Sequence, residues 1–74
     1  MEISIRATAD LGAFVPAAGR VKVGERATVQ DVLGLLGIDS DLVMLFVIDG
    51  DLVDVDSPLE EGATLELIPP ISGG

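Results

Sequence analysis

Gly73 and Gly74 close the sequence, and they present the group in it best suited to covalent chemistry, a terminal carboxylate on backbone without side chains. Such a peptide threads a narrow tunnel that any Cβ would obstruct. The alternative reading is a frayed end of small residues. Reactive groups are scarce elsewhere. The chain has no cysteine and no histidine, so it lacks a thiol nucleophile, a near-neutral base and the usual ligands for zinc, copper or iron. Ser4, Ser40, Ser57 and Ser72 have no imidazole to activate them. The expectation is a non-enzyme, a carrier or non-catalytic subunit that undergoes chemistry in a partner's active site.

At 74 residues the chain is one domain. A domain of this size buries roughly 60% of the surface its unfolded form exposes and has a stability of about 4–11 kcal/mol. Charge is uneven along it. Arg6, Arg20, Lys22 and Arg26 all precede residue 27, whereas ten of the 13 acidic residues follow it, and the net charge is −9. An acidic surface repels phosphate backbones, which argues against nucleic acid, and it attracts basic partners. The longest apolar stretch, Leu42 to Ile48, is far short of a membrane span. The start, Met1-Glu2-Ile3-Ser4, lacks a basic, then apolar leader, so the expected location is cytoplasmic, with no membrane association.

The elements that must position the terminus are legible from periodicity. Ile3, Ile5 and Ala7 alternate with polar residues as in a half-buried strand, and Val21 and Val23 do the same, so these two strands are expected to pair as a hairpin. Gly12, Pro16 and Gly19 mark residues 8–19 as a loop anchored by Leu11 and Phe14. Thr28 with Asp31 three positions on reads as a capping box. Val29, Val32, Leu33 and Leu36 form one apolar stripe, and Gly37 is a left-handed stop. Gly34 within this helix costs roughly 1 kcal/mol relative to Ala and suggests close approach of a neighbour. Val43 to Ile48 reads as a central strand buried on both faces. Asp49-Gly50 turns it into a short return strand. Thr64 to Ile68 alternates as the last strand, and Pro69-Pro70 ends it.

One helix covering one face of a mixed sheet suits so small a domain, and the order of elements is that of the β-grasp. On Val47-Ile48-Asp49-Gly50-Asp51-Leu52-Val53, Ser57-Pro58-Leu59, Glu61-Gly62 and the run from Leu65 to Gly74, the chain resembles the MoaD/ThiS family of sulfur carriers, relatives of ubiquitin. The Pro-Pro-apolar-Ser-Gly-Gly ending is most similar to that of MoaD, the small subunit of molybdopterin synthase. Asp49 stands where family members commonly have an asparagine-containing turn, and the helix is short for MoaD. The resemblance implies an α+β, ubiquitin-like β-grasp domain over residues 1–68, with about four to five strands on one main helix. A flexible C-terminal tail, residues 69–74, follows it.

The resemblance also implies a chemistry. A MoeB/ThiF-like adenylating enzyme uses MgATP to activate the Gly74 carboxylate, a sulfur donor converts it to a thiocarboxylate, and a MoaE-like synthase subunit uses that sulfur to build the dithiolene of the molybdenum or tungsten cofactor. The carrier itself binds no cofactor. Other recipients remain open: thiazole, tRNA or an amino-acid precursor, or a target lysine if the chain is a protein modifier. A single lysine, Lys22, makes chain building through itself poorly supported. A plain interaction domain is the remaining alternative.

For the tail, Pro69 to Gly74 reaches roughly 20 Å when extended. Pro69 and Pro70 stiffen its base, Ile71 fills an apolar recess, Ser72 is a spacer, and Gly73 admits the terminus to the pocket. Docking candidates on the sheet are Phe46 and Leu65, although burial tendency favours a place in the core for each. Phe14 poses the same alternative. Asp54, Asp56, Glu60 and Glu61 are placed by the tail's flanking turns as contacts to a basic partner, or else are plain surface. Asp49, Asp51, Asp54 and Asp56 are dense enough to suggest calcium, but their spacing fails the EF-hand loop and the Asp-Gly pair is explained by the hairpin, so no metal site is expected.

Overall fold

Among the described residues, five strands and one main helix form two layers. In the computed structural model, which describes residues 1–70, β1 (Glu2–Ala7), β2 (Arg20–Lys22), α1 (Val29–Leu36), β3 (Leu45–Ile48), β4 (Asp51–Val53) and β5 (Thr64–Ile68) follow in chain order. The sheet order is β2-β1-β5-β3-β4. β5 runs parallel to β1, and the other pairings are antiparallel. This is the mixed sheet on one main helix of the β-grasp fold.

The core lies between α1 and one face of the sheet. Ile3, Leu33, Leu65, Leu67, Val29 and Val32 are its largest fully buried side chains, each worth about 1.5–3 kcal/mol of burial. Helix α1 has only eight residues, too few to persist alone, and its ends are closed accordingly. The Thr28 amide donates to Asp31 Oδ2 at 2.9 Å, and Thr28 Oγ1 accepts from the Asp31 amide at 3.4 Å. The amides of Val29 and Gln30 donate to the carbonyls of Ser57 and Val55, satisfying donors that a helix start leaves unpaired. At the other end Gly37 is left-handed, at φ 76°, and the Ile38 amide donates back to the Leu33 carbonyl at 2.9 Å.

Three expectations are corrected. The central strand is β5, not the run ending at Ile48. That run contributes β3, whose four residues are each half-buried because only one face of the sheet is covered. Residues 8–19 are not all loop, since Ala9–Phe14 winds into a 3₁₀ helix that buries Leu11 while Phe14 stays exposed. Gly34 approaches no neighbour, and a Cβ built there meets nothing within 4 Å. Gly34→Ala is therefore expected to stabilise the fold by about 1 kcal/mol, read as a higher urea midpoint with an unchanged slope.

Candidate functional site

The site begins where β5 stops. Leu65 and Leu67 point into the core with no accessible surface and hold β5 between β1 and β3. Its last ladder pair is Ile68 with Leu45, and the Ile68 carbonyl accepts the Met44 amide at 2.8 Å. Pro69 follows and, lacking an N–H, cannot extend the ladder. The tail thus leaves from the most firmly held strand of the sheet. Pro69 is half-buried and Pro70 exposed. Ile71, Ser72, Gly73 and Gly74 lie outside the described residues.

Strand register decides what surrounds this point. Residues paired across a sheet share a face, and alternate residues along a strand switch face. Because Leu65 and Leu67 face the helix, their partners Ile48 and Phe46 do too, and so does Val53 opposite Phe46. All three pack against the core. Neither sheet candidate for docking therefore lies on the open face. Leu65 is wholly buried, and Phe46 is half-buried on the helix side.

The open face instead presents the residues between them. Ile68 and Leu45 form one row; Glu66, Val47 and Leu52 form the next. Leu52 is 69% exposed. These four apolar side chains, Leu45, Val47, Leu52 and Ile68, escaped the sequence reading. The signal that finds them is the alternation of Thr64 to Ile68 carried across the sheet.

Exposed apolar surface also gathers on the tail's other side. Phe14 and Leu42, 41% and 48% exposed, line a hollow of about 360 Å³ with Pro69, Pro70, Asp10 and Asp41. Met44 is exposed beside the Ile68 carbonyl. Of the five large apolar side chains exposed among the described residues, only Leu35, on α1, lies away from the tail base and the open face.

The acidic candidates are placed differently from expectation. Glu60 and Glu61 precede β5 and sit at the end opposite the tail, about 13 Å away by strand rise. Glu61 is engaged there, with Oε2 accepting from the Glu2 amide at 2.6 Å and the Gly62 amide at 3.1 Å. Asp54 Oδ1 accepts from the Asp56 amide at 2.9 Å and from Ser57 Oγ at 3.4 Å. These bonds shape the loop whose carbonyls cap α1, and Asp56 is exposed on that loop. Asp54 does follow β4 at the tail-proximal end of the sheet, on its edge. Asp49 replaces the asparagine of the resemblance without loss of the turn. It is left-handed at φ 49° ahead of Gly50 at φ 90°, and its Oδ1 accepts from the Thr64 amide at 3.0 Å. Among the described residues no group of three or more acidic side chains is arranged to hold a metal ion, and no helix is long and apolar enough to cross a membrane.

Comparison with solved structures agrees with this geometry. The crystal structure of SAMP1 from Haloferax volcanii has a TM-score of 0.75 at 26% identity, with 100% of both chains covered. That of H. volcanii small archaeal modifier protein 1 gives 0.74 at 23%, covering 95% of this chain and 98% of the other. A chain of the complex of subunits 1 and 2 of molybdopterin-converting factor from Helicobacter pylori 26695 gives 0.61 at 19%, with both chains fully covered. No curated protein sequence matches the chain. The model of the ThiS family matches residues 11–74, which takes in every element from β2 onward, the apolar open face and the terminal glycines. The chain therefore belongs to the ThiS family of small ubiquitin-like sulfur carriers and modifiers.

Proposed function

We propose that this protein is a sulfur carrier whose Gly74 carboxylate is activated by an adenylating enzyme, converted to a thiocarboxylate and spent in building the molybdenum or tungsten cofactor. The supporting observation is the family match running through Gly74 on a scaffold that exposes apolar side chains at the base of the tail and on the open face of the sheet. A carboxylate is a poor acyl donor. Its attack on the α-phosphate of MgATP releases pyrophosphate and makes the acyl carbon electrophilic, with AMP as leaving group. A sulfide equivalent then adds at that carbon, AMP departs, and the terminus carries sulfur in place of one oxygen.

The chain's own part is presentation. β5 fixes the origin of the tail, Pro69 and Pro70 reduce the freedom lost on insertion, and the open face supplies docking area. The protein is not an enzyme in this reading, binds no cofactor of its own, and has two partners, the adenylating enzyme and a synthase subunit. The cofactor pathway is favoured by the Pro69 to Gly74 ending. The second reading, a protein modifier attached through Gly74 to a lysine, is favoured by the likeness to SAMP1 over the full length of both chains.

Pyrophosphate exchange with the adenylating enzyme of the same cell tests the shared first step. The wild-type chain is expected to support exchange. Leu52→Ser is expected to raise its KM about tenfold, as an interface side chain does when truncated, while surface substitution leaves the unfolding midpoint nearly unchanged. No exchange with the wild-type chain would sink the reading.

A further inference from the structure

The open face carries a charge opposite to that of the chain. Glu2, Ser4 and Arg6 alternate with the buried Ile3 and Ile5 on β1 and point outward, as do Arg20 and Lys22 opposite them on β2. Three of the four basic residues in the sequence are thus on this face, against two acids, Glu2 and Glu66. The other eleven acids lie on turns, on the helices, or at Asp51, which pairs with Ile48 on the helix side. Arg6 continues the row of Glu66, Val47 and Leu52, so cationic and apolar halves are contiguous. Arg20 is paired with Glu2 at 3.8 Å.

We infer that this face docks a protein surface of matching polarity, an apolar patch flanked by carboxylates, and that the adenylating enzyme of the proposed function, on which this inference rests, presents it. The whole-chain charge of −9 does not prevent this. Fields of exposed charges fade over about 8 Å at physiological salt, and even the thinnest extent of the molecule is 20 Å, so acids on the helix side act weakly at the sheet. A nucleic acid is disfavoured, because its charge extends well past three side chains and meets the acidic turns around them.

Two single reversals separate local from global charge. Arg6→Glu and Arg26→Glu change the net charge equally, but only Arg6 is on the open face. Binding of each to the adenylating enzyme is measured by titration calorimetry without ATP, and KM by pyrophosphate exchange. Arg6→Glu is expected to weaken binding and raise KM by up to about tenfold with kcat unchanged, Arg26→Glu to stay within about twofold, and Glu66→Lys to tighten binding. Equal weakening by both reversals, or none by either, overturns the inference. So does a homodimer that Arg6→Glu dissolves, which would make a second copy the occupant. If wild-type chain binds with the expected pattern yet forms no acyl-adenylate, the docking face stands and the proposed function fails. If wild-type chain binds nothing, both fall.

Discussion

Deletion of Gly74 is expected to lower acyl-adenylate formation at least ~100-fold while leaving the unfolding midpoint unchanged. Displacing a reacting group by even about 1 Å costs on the order of 10²-fold, and one residue of extended chain is roughly 3.3 Å. The fold is expected to tolerate the loss, because among the described residues the last ladder pair is Ile68 with Leu45 and the last core side chain is Leu67. Single-turnover pyrophosphate release checks it. Gly73→Ala is expected to fall the same way through a clash in the partner's channel, and a variant with unchanged turnover would show that the channel is wide enough for a side chain.

Leu65→Ala is expected to be the most damaging substitution for stability. The side chain is fully buried on the central strand, and truncating such a leucine costs about 2–5 kcal/mol. Against a total of about 4–11 kcal/mol, that leaves the domain marginal or unfolded at 37 °C. Leu52→Ala, one pleat face away, is expected to cost about 0.5 kcal/mol or less. Urea unfolding followed by far-ultraviolet circular dichroism suits the comparison, since the chain has no tryptophan or tyrosine. A small effect at Leu65 with a large one at Leu52 would invert the assignment of the two faces of the sheet.

That assignment is what the sequence carried least clearly. Helix α1 was readable to the residue because local groups define it: Thr28 and Asp31 close one end, Gly37 the other, and the apolar spacing fills the middle. The Asp49-Gly50 turn and the span Thr64 to Ile68 were readable for the same reason. By contrast, Val43 to Ile48 has no polar residue to mark its phase. Which of Leu45, Phe46 and Val47 faces solvent is set by pairing with β5, a contact about 20 residues away. The same cause misled the strand's place in the sheet and left Phe46 open as a docking candidate. Glu60 and Glu61 adjoin β5 in sequence, but the strand's direction carries the tail away from them. The clustering of Arg6, Arg20 and Lys22 on one face likewise follows from alternation combined with register. Whole-chain charge pointed to basic partners and hid it.

The central claim is that the terminus of this chain carries sulfur. Intact mass spectrometry of the protein purified from its native cell, with fragmentation of the C-terminal peptide, tests it most directly. The expected result is a population in which one oxygen of Gly74 is replaced by sulfur, and which gains the mass of one alkyl group when mild alkylation converts the thiocarboxylate to a thioester. A terminus that carries only oxygen, even after incubation with MgATP, the adenylating enzyme and a sulfide donor, would contradict it.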